Sequence, residues 1–528
     1  MDKPMDQFDY ILSHLTLEQK VGQMICISIS TTYTDPEFLR FASEYPFGGV
    51  ILYKRNLSSP SQVNRLTSQI NTALQKQCGG VPPLIGIHQE GDVFPLFSTG
   101  VYSTPSAMAL GASGQEEDAQ FCGEAMGQDL AAMGITHNFG PFIETGLPGQ
   151  GNLGVRSFGS DYEAVARLSA AMTRGLRRGG VTCTAKYFPG AAGQDSITRQ
   201  TLVPLAAQVT AGADSIMISP EIMTAMAQNI PGAPLTSPGS LEQLLREQLG
   251  LEGVIIAKFP EEMTSVEINA MGRTAVKGVL SGADMIVHST SRKEQLVLYH
   301  SLLAAVKKGL ISPERIDASV RRILKMKVES NRLSRERVVH HPLERQVRCR
   351  ESYRRSIVLV RDPKGLLPAY PEKFGRLLVV TPEDIPIPSA PQNTYAHCNL
   401  GEFLSAGFEK TIMFPLPKTL EEAAAKVLTS EAAQCDLIVM ALGENTPNPQ
   451  TTRLMEQLAQ FRPMVCVALQ HPDGALEAPE QAAVLLAFSP SDDSMRAAAE
   501  VILGKLRATG SCPVANELFY QMEQQKQD

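Results

Sequence analysis

Two lysines lie at the ends of short apolar runs in the first half of the chain. Lys186 stands near the end of one such run, and Lys258 closes another. If both runs are strands of one sheet, their ammonium groups face the same opening and each lowers the pKa of the other. An amine with a lowered pKa can attack a carbonyl group and form a Schiff base. The sequence therefore allows lysine-dependent lyase or isomerase chemistry, and the structural alternative is a lysine paired with Glu90 or Glu144.

The elements that would carry these lysines alternate along the chain as far as residue 333. Short apolar runs bounded by turn residues predict strands at 49–53, 84–88, 181–188, 215–219, 254–258 and 285–288. Helical patterns lie between them, for example at 114–132, 161–178 and 291–308, and Thr16 to Gln19 fits a capping box that opens a helix. About eight such units in roughly 330 residues predict a TIM-like (β/α)8 barrel, with an open doubly wound sheet as the alternative.

The pattern restarts after residues 334–350, a segment rich in arginine and histidine that we interpret as a solvated linker or helix face. Apolar runs then predict strands at 357–360, 377–380, 437–442, 464–469 and 484–488. Helical patterns occur near 420–428, 452–460 and 494–504. We therefore predict a barrel domain over 1–333, a linker over 334–350 and a smaller αβα sandwich domain over 351–528.

Composition limits the partners and the compartment. The 528 residues are 43% hydrophobic and 20% charged, with a formal net charge of -7, so nucleic acid and anionic membranes are not expected partners. We find no signal peptide and no run of apolar residues long enough to span a membrane, and none of the nine cysteines forms a CxxC pair. We expect a cytoplasmic protein with reduced thiols, no metal site and no cofactor; the oligomeric state stays open.

Several short motifs are distributed along nearly the whole chain. They are 15–24, 48–53, 138–141, 156–159, 186–190, 281–285, 311–324, 356–362 and 501–505. Together they resemble the glycoside hydrolases of family 3, and the Pro189-Gly190 ending is typical of the β-N-acetylhexosaminidase branch. The resemblance implies a barrel followed by a sandwich domain, and a retaining hydrolase with a carboxylate nucleophile and a separate acid/base group.

The two positions that the resemblance assigns to catalysis carry other residues. Lys258 stands where the family has its aspartate nucleophile, and an ammonium group there would repel the developing oxocarbenium ion. Ile197 stands where the branch has its acid/base histidine, and isoleucine transfers no proton. Asp195 is the residual candidate for an acid. Glu261 or Glu262 would reach the reaction centre only by a different loop path.

The sugar-binding positions implied by the resemblance are partly changed. His88 replaces an aspartate, Tyr187 replaces a histidine, and Glu144 replaces a shorter aspartate. Glu90, Arg156 and Lys186 are kept. We predict these six as ligand-binding residues that hold hydroxyl groups or an anion. The alternative is that they pair with one another and hold the barrel mouth together.

Three functions follow from these observations. The first is a pseudoenzyme that binds a carbohydrate-type ligand or a partner without turnover, favoured because both catalytic positions are changed together. The second is a β-N-acetylhexosaminidase or β-glucosidase with relocated catalytic groups, which rests on analogy of fold. The third is Schiff-base chemistry on Lys186 or Lys258.

Overall fold

The computed structural model describes residues 6–92, 97, 101–146, 151–190, 197–260, 263–288, 291–386, 395–443 and 448–515. Asp195, Glu261 and Glu262 lie outside the described residues.

Eight parallel strands close into a barrel in chain order. They are β1 (Ile25–Ser28), β2 (Gly49–Leu52), β3 (Leu84–Ile87), β4 (His137–Asn138), β5 (Thr182–Phe188), β6 (Ser215–Ile218), β7 (Val254–Lys258) and β8 (Met285–Val287). Almost every strand residue is buried, as expected for strands covered by side chains inside and by helices outside. The predicted barrel is confirmed, and the open-sheet alternative is wrong because β1 pairs with β8.

Helices precede, separate and follow the strands. They are α1 (Gln7–His14), α2 (Leu17–Gln23), α3 (Pro36–Glu44), α4 (Pro60–Gln75), α5 (Ala107–Ser113), α6 (Glu116–Ala132), α7 (Tyr162–Gly179), α8 (Leu202–Thr210), α9 (Pro220–Gln228), α10 (Ser265–Ser281), α11 (Arg292–Lys307) and α12 (Pro313–Glu336). The predicted capping box is present at the start of α2. The Thr16 side chain accepts a hydrogen bond from the Gln19 backbone N–H, and the Gln19 side chain accepts one from the Thr16 backbone N–H.

The second domain follows helix α13 (Pro342–Ser356). Its strands are β9 (Val358–Arg361), β10 (Arg376–Pro382), β11 (Ile385–Pro386), β12 (Tyr395–Ala396), β13 (Lys410–Leu416), β14 (Leu437–Leu442), β15 (Met464–Ala468) and β16 (Ala483–Leu486). Its helices are α14 (Leu400–Ser405), α15 (Glu422–Gln434), α16 (Pro449–Ala459) and α17 (Asp492–Ile502). The main sheet has the order β13-β10-β14-β15-β16-β9, with β9 antiparallel to β16. Separate apolar clusters cover its two faces, so the predicted sandwich is confirmed.

The junction between the domains is largely helical. Helix α12 continues to Glu336 and α13 begins at Pro342, so the segment 334–350 includes the end of one helix and the first half of the next. His340 Nε2 lies 2.6 Å from Glu124 Oε2 on α6, which ties the short connection to the barrel.

Two further findings bear on the composition. All nine cysteines are unpaired thiols, and seven of them are buried. In the part of the chain that the structure describes, no helix has both the length and the apolar character needed to cross a membrane.

Candidate functional site

The carboxyl ends of the barrel strands bring the predicted residues to one opening, which we call the barrel mouth. His88 and Glu90 follow β3, Lys186 lies in the second half of β5, and Lys258 is the last residue of β7. Arg156 ends a short 3₁₀ segment between β4 and α7. Since parallel strands all end at the same rim, residues far apart in the sequence meet here.

Glu90 is the centre of a buried ion cluster at the mouth. Arg156 grips it with two hydrogen bonds, from Nε to Oε2 at 2.7 Å and from Nη2 to Oε1 at 2.9 Å. The Nζ of Lys186 lies 2.6 Å from the same Oε1. The Glu90 and Lys186 side chains are only 3% and 1% exposed. One carboxylate therefore holds two cations in a fixed arrangement.

The charges in this cluster set one another's ionisation. Burial alone raises the pKa of Glu90, but Arg156 and Lys186 outweigh it and lower that pKa to about 2. Burial also lowers the pKa of Lys186 to about 8, with Glu90 opposing the shift and Arg156 and Lys258 adding to it. The expected lowering of the pKa of one lysine by another is thus found at Lys186. The predicted structural alternative is also found, since Lys186 is the lysine paired with Glu90.

His88 lies beside this cluster as a neutral ring. Burial, followed by the charges of Lys186 and Lys258, lowers its pKa well below the usual value. Its Nδ1 lies 2.7 Å from Lys186 Nζ and 3.2 Å from the Phe139 carbonyl oxygen. Its Nε2 is buried and has no hydrogen-bond partner among the described residues.

Lys258 faces the same mouth. Lys258 is 5% exposed, and its charge adds to the effect of burial in lowering the pKa of both His88 and Lys186. Since such an effect requires proximity, the ammonium group does not turn away from the strand ends. Phe259, the next residue, is buried with its ring against that of His288.

Glu144 and Tyr187 complete the predicted ligand-binding set. Burial lowers the pKa of Arg156, but Glu90 outweighs it and raises that pKa, with a smaller contribution from the charge of Glu144 nearby. A Cβ atom added at Gly190 would lie 2.9 Å from Glu144 Oε2, so this carboxylate borders the end of β5. The Tyr187 ring packs edge-on against Phe142 at 6.2 Å, and Arg156 lies over the Phe142 ring at 4.5 Å.

Ile197 begins the described chain again after the loop that follows β5. Its side chain is partly buried and packs against the barrel core. Asp195, the residual candidate for the acid, lies outside the residues that the structure describes, and so do Glu261 and Glu262. Their roles therefore stay predictions.

Sequence reasoning missed two polar contacts near the mouth. Asn138 Oδ1 accepts from the Gln89 backbone nitrogen and its Nδ2 donates to the Gln89 carbonyl, which fixes the end of β3 against β4. Asp92 accepts hydrogen bonds from Tyr353 at 2.6 Å and from Ser489, both in or next to the second domain. No local sequence signal links these partners, because the barrel residue precedes them by 261 and 397 positions.

Known proteins similar to this chain agree with the fold and the motifs. The model of the glycosyl hydrolase family 3 N terminal domain matches residues 16–326. A β-N-acetylglucosaminidase/β-glucosidase of Cellulomonas fimi is 23% identical, over 95% of this chain and 94% of its own length. A β-hexosaminidase of Alkalilimnicola ehrlichii is 31% identical, over 46% of this chain and 73% of its own length.

A solved structure is similar over both domains. It is a family 3 β-N-acetylglucosaminidase from Paenibacillus sp. str. FPU-7, with a TM-score of 0.80 and 28% identity, covering 95% of this chain and 99% of that one. The chain belongs to glycosyl hydrolase family 3, and the predicted resemblance is confirmed.

Proposed function

We propose that this family 3 protein binds a carbohydrate-type ligand at the barrel mouth and does not hydrolyse it. The observation that carries the proposal is Lys258 at the end of β7, buried and close enough to shift the pKa of Lys186 and His88. The motif around it resembles the one in which the family carries its nucleophilic aspartate.

The sign of the charge at this position decides the chemistry. A retaining glycosidase needs a carboxylate that attacks the anomeric carbon and stabilises an oxocarbenium-like transition state. At ~5 Å and an effective dielectric of ~20, a unit cation raises the energy of such a transition state by about 3 kcal/mol. A carboxylate at the same place lowers the energy of the transition state by a similar amount. Replacing the carboxylate with an ammonium group therefore removes a stabilising interaction and adds a destabilising one.

The acid/base position supports the same conclusion. Ile197 packs on the barrel core as an aliphatic side chain and has no proton to give. A nucleophile without a proton donor would still leave the glycosidic oxygen unprotonated. Loss at both positions together is therefore a stronger argument than loss at either one.

The remaining polar side chains are suited to binding. Arg156 keeps 13% of its side chain exposed and is held in place by the buried Glu90, so a ligand that reaches Arg156 loses little free energy to its ordering. The partly exposed ring of Tyr187, which packs edge-on against the buried Phe142 ring, offers an apolar surface for the carbon face of a sugar ring.

The test compares turnover with binding on purified full-length protein. Aryl β-N-acetylglucosaminides and aryl β-glucosides measure hydrolysis, and calorimetry with the corresponding sugars measures binding. We expect a hydrolysis rate equal to that of buffer together with saturable binding that Arg156→Ala abolishes. Lys76→Ala, at the exposed end of α4 on the opposite rim, is the control and should bind like the wild type. Hydrolysis above buffer would favour relocated catalytic groups.

One observation favours Schiff-base chemistry as a second candidate. Burial and neighbouring charges lower the pKa of Lys186 to about 8, so part of the amine is neutral near pH 7. Its contact with Glu90 and its 1% exposure count against attack on a substrate. Borohydride reduction with a panel of carbonyl compounds, followed by peptide mass mapping, tests Lys186 and Lys258 together. The absence of an adduct on either lysine would exclude this candidate for those compounds.

A further inference from the structure

After its last helix, the second domain sends a stretch of chain back to the barrel. We call residues 510–515 the returning segment. The Gly510 N–H donates to the Ile357 carbonyl oxygen at 3.0 Å, just before β9. The Ser511 N–H donates to the Ala112 carbonyl oxygen at 3.0 Å, on α5 between β3 and β4 of the barrel. The returning segment therefore crosses from one domain to the other at this point.

The returning segment next meets residues 154–160, which we call the mouth loop because it carries Arg156. The Ser160 N–H donates to the Pro513 carbonyl oxygen at 2.9 Å. In the other direction, the Ala515 N–H donates to Ser160 Oγ at 2.7 Å. Two hydrogen bonds of opposite direction thus join the two pieces of chain.

Apolar packing and a close backbone approach strengthen this contact. Val514 and Val155 are both buried, in the apolar cluster that covers one face of the second-domain sheet. A Cβ atom on Gly159, whose φ is +144°, would lie 2.5 Å from the Pro513 carbonyl oxygen. Val155 directly precedes Arg156 and Gly159 follows it closely. The second domain therefore holds the mouth loop on both sides of Arg156.

The position of the mouth loop decides where the Arg156 side chain can reach. Arg156 binds Glu90 with two hydrogen bonds, and part of its side chain stays exposed at the barrel mouth. The next residue, Ser157, donates from Oγ to the Glu144 carbonyl oxygen at 2.7 Å. A binding side chain on a well-held loop loses less conformational entropy when a ligand arrives than one on a loose loop.

We infer that the returning segment is a positioning element for ligand binding, which holds the mouth loop so that Arg156 stays directed at the barrel mouth. Val514 and Ser160 are the positioning residues, since they act through Arg156. The inference rests on the proposed function, in which Arg156 is required for binding. It assigns the second domain a part in binding at a site built from barrel residues.

Hydrogen–deuterium exchange on full-length variants of Val514 tests this inference. Val514→Asp should release the returning segment, because an ionised carboxylate is costly to bury in an apolar cluster. Peptides that cover 154–160 should then exchange at least about tenfold faster, since the Ser160 N–H loses its acceptor. Phenylglyoxal, followed by peptide mass mapping, should also label Arg156 faster. Val514→Ile keeps the apolar contact and should behave like the wild type.

Two further variants separate positioning from a general loss of stability. Val501 is buried in the apolar cluster on the other face of the second-domain sheet, so Val501→Ala weakens the domain at a different place. It should leave the exchange of the mouth loop and the labelling of Arg156 unchanged. Ser160→Ala removes the acceptor of the Ala515 N–H and is the milder variant to use if Val514→Asp does not fold. It should also speed the exchange of the mouth loop.

Calorimetry with N-acetylglucosamine connects the mouth loop to binding. The affinity of Val514→Asp should be about tenfold or more below that of the wild type, whereas Val514→Ile and Val501→Ala should bind like the wild type. Wild-type exchange of the mouth loop in both Val514→Asp and Ser160→Ala would overturn the inference. Equal loosening in Val501→Ala, or a loosened loop with unchanged affinity, would overturn it as well.

The same measurements keep this inference apart from the proposed function. A wild-type protein that binds neither N-acetylglucosamine nor glucose would contradict the proposed function. Exchange of the mouth loop and labelling of Arg156 need no ligand, so they would still decide whether the returning segment positions that side chain.

Discussion

At the scale of single residues, the mouth is organised by Glu90. Its carboxylate satisfies both Arg156 and Lys186, which are buried beside it. Removing one member of a buried ion cluster lowers the free energy of unfolding by much more than the whole cluster contributes to it. The reason is that the remaining charges are then shielded from water and have no counter-charge. The sequence predicted Glu90, Arg156 and Lys186 as ligand-binding residues. Their pairing with one another was the alternative interpretation.

Glu90→Gln should therefore lower the free energy of unfolding by about 3 to 5 kcal/mol. The amide keeps the shape of the side chain but leaves the Arg156 and Lys186 cations without their counter-charge. Chemical denaturation at neutral pH measures the change. Glu37→Gln is the matched control, since Glu37 pairs with Arg292 at 2.6 Å on the surface with 65% of its side chain exposed. That control should cost less than about 1 kcal/mol, and equal losses in both variants would contradict the buried-cluster interpretation.

At the scale of elements, helices α6 and α7 pack unusually closely on the outside of the barrel. Gly123 and Gly127 of α6 meet Gly175 and Gly179 of α7, with backbone against backbone. A Cβ atom on Gly175 would lie 2.1 Å from the Gln120 carbonyl oxygen. Gly123, Gly127 and Gly175 lie within the predicted helical patterns 114–132 and 161–178, whereas Gly179 lies one residue beyond them. No pattern in the sequence indicates which helix each glycine contacts.

Gly175→Ala should destabilise the protein by about 1 to 3 kcal/mol, although alanine is the better helix former. The reason is that the facing atom belongs to the backbone of α6 and cannot move aside. Gly278→Ala, inside α10, is the comparison, because its added Cβ atom would make ordinary contact with the flexible Met223 side chain at 3.5 Å. That variant should gain up to about 1 kcal/mol. Thermal or chemical unfolding checks the opposite signs, and a loss of equal size in both would contradict the close approach of α6 and α7.

Strand and helix positions were predicted well because they depend on local patterns. The runs 49–53, 84–88 and 254–258 correspond to β2, β3 and β7, and the pattern 114–132 corresponds to α6. Strands β1, β4, β11, β12 and β13 were not predicted; β4, β11 and β12 have two residues each, which carry too little pattern to detect. Strand ends in a parallel barrel share one rim, so the sequence also indicated which residues would meet at the mouth.

At the scale of the whole molecule, the two domains share a buried carboxylate. Asp92 follows β3 in the barrel and accepts from Tyr353 on α13 and Ser489 after β16. Its other oxygen has no hydrogen-bond partner among the described residues. Burial raises its pKa from 3.8 to about 6, although the hydroxyl donors oppose the shift. The two domains were predicted from the sequence, but this contact was not, because its partners are distant in the chain.

The raised pKa of Asp92 gives stability a defined pH dependence. The folded protein holds this proton up to about pH 6, whereas the unfolded chain releases it near pH 4, so stability falls as pH rises between these values. The free energy of unfolding should therefore drop by on the order of 3 kcal/mol across that window through this group alone. Asp92→Asn cannot ionise and should flatten the slope by that amount in denaturation curves collected from pH 4 to 7.

Tyr353→Phe provides the complementary variant. The tyrosine hydroxyl donates to the ionised Asp92 and lowers its pKa, so its removal should extend the fall in stability to higher pH. If Asp92→Asn and the wild type kept parallel pH profiles, the buried carboxylate would not control the contact between the domains.

The proposed function depends on the charge at the end of β7. A reagent that bonds covalently to the nucleophile of a retaining glycosidase tests directly whether a nucleophilic carboxylate is present. An activated fluorinated glycosyl fluoride leaves a long-lived glycosyl ester on the nucleophile of a retaining glycosidase, and it needs little help from the acid/base group. After incubation with such a reagent, the intact mass of the wild-type protein should be unchanged, and Lys258→Asp should gain one glycosyl group on residue 258. A glycosyl ester on any carboxylate of the wild-type protein would show that a working nucleophile exists, and the proposal of a non-hydrolytic mouth would then be wrong.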